Sequence, residues 1–193
     1  AAGEVNFTGA GAWMLVYNEE KLYDERHQMH KDWAQKVEDS YDGKIYTFMD
    51  ESQSPKLYEY DSKEDKWNEI NTPMDDMSYY DGGMAAGTDG IYITYALKSN
   101  NEIKVKKYAD GQWSDVGNIG KIGDALKIAV DLQNTVYLAF NDSGESRYHF
   151  VNRYYNGNWE NVGATYVTAS GGGRSKLTLD GNGIPYVSYF DQY

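Results

Sequence analysis

The feature that most constrains the fold is an aromatic hairpin that the chain contains twice. The stretch Tyr154–Gly163, YYNGNWENVG, has a near-copy in Lys107–Gly117, KYADGQWSDVG. Each has an aromatic residue before a two-residue turn, then Trp, and then Val-Gly. Asn-Gly and Asp-Gly between aromatic runs are the strongest short-range hairpin signals, because both central residues of a type I′ turn need positive φ. A chain that repeats such a hairpin is expected to repeat a larger structural unit.

The repeat runs through most of the chain with a period close to 46 residues. Three tryptophans stand at the same place in successive copies, 46 residues apart at both steps: Trp67, Trp113 and Trp159. Three tyrosines follow at steps of 46 and 45 residues: Tyr46, Tyr92 and Tyr137. We therefore predict that the three tryptophans occupy equivalent buried positions, where each fills the space between neighbouring units.

Each copy carries four strand signals. An alternating run such as LKIAVD leads through a tight turn to a β-branched and aromatic run such as VYLAF. A polar loop then leads to a hairpin whose last strand opens with Trp. Four antiparallel strands in about 40–50 residues are the pattern of one blade of a β-propeller. The prediction is an all-β fold with about five four-stranded blades.

The blade-like units divide a single predicted domain over residues 1–193. Their limits are 5–38, 39–80, 81–124, 125–173 and, for a partial copy, 174–193. The first copy is degenerate, and an unpaired strand edge in the ring would invite aggregation. EVNFTG could act as a clasp strand, but one strand cannot replace two. The ring could therefore be closed by more than one strand from the first copy, by residues missing from this sequence, by self-association or by a further chain.

Charge and composition limit the partners. The formal net charge is −12, from 30 Asp and Glu against 18 Lys and Arg. Such an acidic surface repels phosphate backbones, so no nucleic acid is expected as a partner. The absence of cysteine excludes disulfides, iron–sulfur clusters and thiolate catalysis. No apolar run reaches the roughly 18 residues of a membrane span.

At these residues the chain resembles a known family. The segment YNGNWENVG, followed by LTLDGNGIPYVSYFD, is similar to the repeat of exported bacterial β-propellers. The likeness covers roughly residues 39–193 well and the first 38 residues poorly. A partial likeness to sialidase-like propellers lacks the Ser and Thr of their Asp-box hairpin. The resemblance implies a secreted bacterial protein, extracellular or at the cell surface, whose signal peptide is absent from this chain.

No motif in the sequence marks a catalytic centre, a cofactor site or a metal site. His27 and His30 invite a metal ion, but such a site needs three or four convergent ligands, and the repeat places these two at a solvated hairpin tip. Asp61–Trp67 loosely resembles a calcium loop but lacks its Gly and distal Glu, so a plain turn is predicted. His149 is interpreted as a packing residue within a strand.

The candidate binding residues lie where the repeat predicts loops on one face. Three polar residues end second strands, where carboxylate and amide oxygens suit sugar hydroxyls or a hard cation: Asp50, Asn141 and Asp191. Three tyrosines lie in the predicted blade-to-blade connections, where they would stack on a sugar or anchor a protein: Tyr79, Tyr80 and Tyr166. The alternatives are that Asp and Asn end strands only because they favour turns, and that the tyrosines fill grooves between blades.

The predicted function is non-catalytic: a binding or scaffold propeller that recognises an extracellular glycan or a protein through its loop face. The lack of a chemically distinctive cluster favours binding over catalysis, and a carbohydrate-active hydrolase or lyase of the sialidase-like type is the alternative. Tyrosine, with 19 copies, offers a flat apolar face and a hydroxyl at little entropic cost. Sugar stacking of this kind predicts millimolar to micromolar affinity, about 4–8 kcal/mol.

Overall fold

The structure is a computed structural model that describes residues 44–51, 54–74, 76–144, 148–163, 166–167 and 175–189. Within these ranges, the side chains of residues 49–51, 54–55 and 79–81 are not described. Every regular element among the described residues is a β-strand, which confirms the all-β prediction. The strands are β1 (Ile45–Glu51), β2 (Ser54–Asp61), β3 (Lys66–Ile70), β4 (Met77–Ala86), β5 (Ile91–Leu97), β6 (Ile103–Ala109), β7 (Gln112–Asp115), β8 (Gly123–Val130), β9 (Val136–Asp142), β10 (His149–Tyr155), β11 (Asn158–Asn161), β12 (Ser175–Leu179) and β13 (Pro185–Tyr189).

These strands form four antiparallel sheets in chain order. The second sheet is β4 to β7 and the third is β8 to β11, with consecutive strands as neighbours in both. Among the described residues, the first sheet contains β1 to β3 and the fourth contains β12 and β13. In the two complete sheets, one copy of the repeat therefore forms four strands, as predicted. The unit limits stay predictions, and β4 runs across the limit drawn between 80 and 81.

The two quoted hairpins have the predicted turn. Asp110 and Gly111 have φ of 50° and 77°, and Asn156 and Gly157 have φ of 49° and 82°. Positive φ at both central residues is the type I′ geometry, whose twist matches that of the flanking strands. Local turn chemistry thus sets the register of the last hairpin in each complete sheet.

The second strands of the complete sheets are buried on both faces. Residues 91–96 of β5 and residues 136–140 of β9 are all buried. These buried stretches carry no charged residue, because an unpaired charge is costly to remove from water. Thr94 is fully buried, but its hydroxyl donates to the carbonyl oxygen of Lys104 at 3.2 Å, so its polar group is satisfied.

Two hydrophobic clusters lie between neighbouring sheets. One joins the first sheet to the second through Tyr46, Leu57, Met74, Ile91, Ile93 and Tyr95. The other joins the second sheet to the third through Tyr92, Ala96, Ile103, Val105, Val116, Ile119, Leu126, Val136, Leu138 and Phe140. Strand β8 packs against β4 on one side and β12 on the other. The sheets therefore pack side by side in chain order, with apolar cores between them.

A tilted tyrosine–tryptophan pair recurs in three sheets. The rings lie opposite each other across the last hairpin, with centroids 5.1–5.4 Å apart and planes at 49–50°: Tyr60–Trp67, Tyr108–Trp113 and Tyr154–Trp159. This shared geometry confirms that the three tryptophans are equivalent. The predicted full burial is wrong, since each Trp stays partly exposed. The reason is that each lies on the short last strand at the edge of its sheet.

Two of these indoles also fasten neighbouring sheets together. Trp113 Nε1 donates to the carbonyl oxygen of Asn71 at 2.8 Å, and Trp159 Nε1 donates to that of Val116 at 2.7 Å. Both acceptors directly follow the last strand of the preceding sheet. We call each such bond an indole latch. The Nε1 of Trp67 is buried and has no acceptor among the described residues.

The turns between the first and second strands of the third and fourth sheets share one hydrogen-bond pattern. An Asp carboxylate accepts from the main-chain N–H groups two and four residues later: Gln133 and Thr135 after Asp131, and Asn182 and Ile184 after Asp180. The Asn134 side chain accepts from the N–H and hydroxyl of Thr88, at 2.8 and 3.0 Å, and so joins the turns of two sheets. We call this the turn end of the sheets.

Candidate binding site at the loop end

The opposite end, here called the loop end, is where second strands finish and third strands begin. Its backbone is tied across sheets: the N–H of Gly123 donates to the carbonyl of Asn101 at 2.9 Å, and that of Ser143 donates to the carbonyl of Ile122 at 3.2 Å. These bonds join the loop of the second sheet, the connection to the third sheet and the loop of the third sheet. The loop end is therefore a connected scaffold that can hold side chains in place.

Asn141, a predicted binding residue, lies at the loop end. In β9 it stands opposite Asp124 of β8 and His149 of β10, and it is partly exposed. A Cβ atom on Gly123 would lie 2.4 Å from the carbonyl oxygen of Asn141, so only glycine lets β8 begin this close to β9. The glycine at the start of β8 therefore allows the close approach of β8 to β9 at Asn141.

Tyr166, a second predicted binding residue, reaches the same end of the third sheet. Its ring lies against that of Tyr148, with centroids 4.5 Å apart and planes at 46°. The Tyr166 side chain is nevertheless 42% exposed. The next residue, Val167, donates its N–H to the carbonyl of His149 at 2.7 Å, and His149 is the partner of Asn141 in the sheet. The structure therefore brings Asn141 and Tyr166 to one place.

The fourth sheet adds two groups beside them. His149 is buried, as its packing role predicts, and its ring lies 5.7 Å from that of Tyr189 in β13. Ser175 begins β12 opposite Tyr189, and its buried Oγ has no hydrogen-bond partner among the described residues. The rings therefore span the junction of the third and fourth sheets. We call them the loop-end aromatic cluster: Tyr148, His149, Tyr166 and Tyr189.

The prediction that Tyr79 and Tyr80 lie in a connecting loop is wrong. Both belong to β4, which begins at Met77. The pairing of β4 with β5 shifts register between Met77 and Gly82, so the two tyrosines lie in an irregular, bulged part of a strand. A bulge of this kind bends the strand and re-aims its side chains. The role of Tyr79 and Tyr80 in binding stays a prediction.

The other predicted polar residues are placed only in part. Asp50 lies in β1 one residue before its end, and its side chain is not described. Asp191 lies outside the described residues, as do His27 and His30. The hypothesis of a ring of polar groups at the loop end therefore stays a prediction, of which Asn141 is the member that the structure describes in full.

The loop end carries both charged and neutral groups. The described residues contain no group of three or more His, Asp or Glu that could hold a metal ion. The Asp142 carboxylate accepts the N–H of Gly144 at 2.9 Å within its own loop. The Lys121 ammonium lies 5.6 Å from the centre of the Phe150 ring. The loop end thus offers aromatic faces, an amide and a hydroxyl, which can bind a ligand by stacking and hydrogen bonding.

Sequence reasoning did not identify Tyr148 or Tyr189 as site residues. Tyr148 directly precedes the third strand β10, and Tyr189 is the last described residue of the second strand β13. Tyr148 therefore flanks the loop between a second and a third strand, and Tyr189 lies at the corresponding end of a second strand. A search for aromatic residues beside these loops, in addition to those in the connections between units, would have found them.

No helix of the described residues is long and apolar enough to cross a membrane.

No family model matches the chain, and no curated protein matches it by sequence. The resemblance to exported bacterial β-propellers therefore stays a prediction. Among solved structures, the chain is similar to TolB from Acinetobacter baumannii, with 16% identity and a TM-score of 0.49 over 72% of this chain and 33% of TolB. It is also similar to a fucose lectin from Kordia zhangzhouensis in complex with methyl-fucoside, with 14% identity and a TM-score of 0.45 over 63% of this chain and 90% of the lectin. This chain thus spans about a third of the TolB chain.

Proposed function

We propose that the chain is a β-propeller of about five blades, a single domain over residues 1–193, whose loop end binds a neutral glycan without catalysing a reaction. The propeller is supported by two four-stranded meanders, which follow each other along the chain and pack side by side. The binding role rests on one observation: the Tyr148–Tyr166 pair, in which one ring supports another that is 42% exposed.

An exposed ring that is held by a second ring suits a sugar ligand. The contact with Tyr148 limits the orientations of Tyr166 before any ligand arrives. Less side-chain entropy is then lost on binding, which favours affinity. The ring face can cover the apolar C–H face of a pyranose, and the hydroxyl can exchange hydrogen bonds with the sugar.

Polar groups beside the aromatic cluster can take the sugar hydroxyls. Asn141 is partly exposed, and its side-chain nitrogen carries two donor hydrogens, whereas its Oδ1 is buried. Ser175, across the junction in β12, adds a hydroxyl whose Oγ has no partner among the described residues. A ligand that bonded this hydroxyl would offset the cost of leaving it buried without a hydrogen bond.

The charge of the chain favours a neutral ligand. A net charge of −12 repels sialylated or sulfated glycans at long range. The aromatic cluster consists of three tyrosines and one histidine. We propose that the glycan is extracellular and that the protein acts outside the cell or at its surface. A protein ligand would use the same aromatic surface.

A glycan array followed by calorimetric titration of the retained neutral glycans tests the proposal. Tyr166→Ala should weaken binding at least tenfold, because it removes the exposed ring and leaves the sheets intact. The matched control is Tyr155→Ala, which removes a tyrosine that is 50% exposed at the far end of β10. This control should keep the parent affinity. Thermal unfolding of both variants shows whether folding is unchanged.

Two outcomes would contradict the proposal. Undiminished glycan binding by a folded Tyr166→Ala variant would place the site elsewhere. Release of free sugar from any retained glycan by the parent protein would show an enzyme, in line with the hydrolase or lyase alternative. If the parent bound only a protein and Tyr166→Ala lost that binding, the binding surface would be the proposed one, but its ligand would be a protein and not a glycan.

A further inference from the structure

The chain contains two Asn-Gly pairs, Asn156-Gly157 and Asn182-Gly183, and each lies in a turn between two strands. Asparagine before glycine is chemically labile, because glycine has no side chain to keep its main-chain nitrogen away from the asparagine amide. Attack of that nitrogen on the amide carbon closes a five-membered imide ring. The surroundings of the nitrogen therefore decide how readily the pair reacts in the folded protein.

The surroundings of Asn182-Gly183 oppose this reaction. The N–H of Gly183 donates to the carbonyl oxygen of Asp180 at 3.0 Å, and the N–H of Asn182 donates to the Asp180 carboxylate at 2.8 Å. A Cβ atom on Gly183 would lie 3.2 Å from a carboxylate oxygen of Asp131, so a negative charge lies beside this glycine. The reacting nitrogen must give up its proton, and a nearby negative charge disfavours that step. Hydrogen bonds and charge therefore both protect this pair.

The surroundings of Asn156-Gly157 lack both kinds of protection. Asn156 and Gly157 are exposed, and a Cβ atom on Gly157 would meet nothing within 4 Å. The N–H of Gly157 has no hydrogen-bond acceptor among the described residues. This nitrogen can therefore turn towards the Asn156 amide without breaking a hydrogen bond of its own.

We propose that Asn156 is a site of spontaneous deamidation in the folded protein. The Gly157 nitrogen attacks Cγ of Asn156, and the amide NH2 group leaves as ammonia with the proton of the Gly157 N–H. Water then opens the imide at one of its two carbonyl groups. Opening at the side-chain carbonyl leaves aspartate, and opening at the main-chain carbonyl leaves isoaspartate, in which the chain continues through the side chain. Water is the only co-reactant, and no group is oxidised or reduced.

The two products differ in their fit to the turn. Asp110-Gly111 has the same type I′ geometry as Asn156-Gly157, so aspartate fits a turn of this kind. Isoaspartate adds a methylene group to the backbone of a two-residue turn, which disturbs the pairing of β10 with β11. Strand β11 carries Trp159, whose indole donates to the carbonyl oxygen of Val116 at 2.7 Å. Isoaspartate should therefore loosen the indole latch between the second and third sheets.

Peptide mapping by mass spectrometry after incubation of the folded parent tests the proposal. Loss of the amide should be at least tenfold faster at Asn156 than at Asn182, which is the internal control because it also precedes glycine. In concentrated urea the two rates should become similar, because hydrogen bonds and a fixed charge no longer protect Asn182. Equal rates in the folded protein, or faster loss at Asn182, would refute the proposal. So would a difference that persists in urea, since the flanking sequence and not the structure would then set the rates.

The variant Asn156→Asp separates the effects of the two products. It has aspartate alone in the turn and should unfold at the same urea concentration as fresh parent. Aged parent should contain a fraction that unfolds at a lower urea concentration, and this fraction should match the isoaspartate measured by enzymatic methylation. If the isoaspartate form unfolded together with Asn156→Asp, the turn would accept the extra methylene group, and the proposed effect on the latch would be wrong.

Discussion

The indole nitrogen of Trp159 lies 2.7 Å from the carbonyl oxygen of Val116, to which it donates a hydrogen bond. The third sheet is thereby fastened to the end of the second, and Trp113 makes the same kind of latch to Asn71. In two of the three repeats, the recurring tryptophan is thus both a packing residue and a hydrogen-bond donor between sheets.

Trp159→Phe should lower the free energy of unfolding by about 1–3 kcal/mol. The change keeps an aromatic ring against Tyr154 but leaves the carbonyl of Val116 without its donor, and an unpaired buried acceptor costs about this much. Urea denaturation measures the difference. Trp67→Phe is the matched control, because the Trp67 indole has the same tyrosine contact and no acceptor among the described residues. Equal losses in the two variants would show that ring packing alone, and not the latch, is being measured.

Gly157→Ala should destabilise the protein by about 1 kcal/mol through the backbone alone. Gly157 has φ of 82°, and a Cβ atom there would meet nothing within 4 Å, so conformational strain is the cost. Gly181→Ala is the control: a Cβ atom there also meets nothing, and its φ is not positive. It should be neutral or slightly stabilising, since alanine restricts the unfolded chain. Equal effects at the two sites would contradict the type I′ turn. Thermal unfolding of both variants gives the comparison.

The two hairpins with type I′ turns show which part of the fold the sequence predicts. Asp110-Gly111 and Asn156-Gly157 predict their turns correctly because positive φ is a local requirement that few residue types meet. The period of the tryptophans then predicts the sheets. The bulge in β4 that contains Tyr79 and Tyr80 was not predicted, because an irregular register leaves no periodic signal.

The candidate site was predicted less well for a physical reason. Tyr166 and Asn141 were named from the sequence, but the ring that supports Tyr166 is Tyr148, 18 positions earlier in the chain. Their contact depends on a main-chain hydrogen bond from Val167, next to Tyr166, to the carbonyl of His149, next to Tyr148. The local propensities of these residues do not predict tertiary contacts of this kind.

The stability of the turn end should depend on acid pH. The N–H groups of Ile184 and, to a lesser degree, Asn182 lower the pKa of Asp180 below its ordinary value of 3.8. A carboxylate with a lowered pKa stabilises the fold above its ordinary pKa, and this contribution is lost as the pH falls through the lower value of the folded state. Asp180→Asn keeps an acceptor oxygen but cannot titrate. The advantage of the parent over this variant should therefore be constant near neutral pH and shrink below about pH 4. Urea unfolding across the acid range measures it, and a difference that does not change with pH would contradict the prediction.

Tyr92, in the second strand of the second sheet, predicts the opposite pH dependence of stability at alkaline pH. Burial, and then the hydrogen bond to the Asp89 carboxylate at 2.7 Å, raise the pKa of Tyr92. A tyrosine whose pKa is raised stabilises the fold while it is protonated, and this contribution is lost as the pH rises above the ordinary value of 10.0 towards the folded value. Tyr92→Phe should cost about 1 kcal/mol at neutral pH.

As the pH rises from about 9 to about 11, the free energy of unfolding of Tyr92→Phe should fall less than that of the parent. Tyr137→Phe should act in the same direction, because burial and the nearby Asp131 raise the pKa of Tyr137 as well. Urea unfolding at alkaline pH measures both slopes. Parallel curves for the parent and Tyr92→Phe would show that the hydroxyl of Tyr92 ionises as freely in the folded as in the unfolded chain.

The donor and acceptor of each indole latch are 42 or 43 residues apart, nearly one period of the repeat. A tandem duplication of one whole unit would therefore copy a donor and an acceptor together, and the inserted unit would bond to both neighbours without any further mutation. Insertion or loss of half a unit would instead leave an indole or a carbonyl without its partner. Because of the latch, such a gene can gain or lose whole units, and not parts of a unit, while its product still folds.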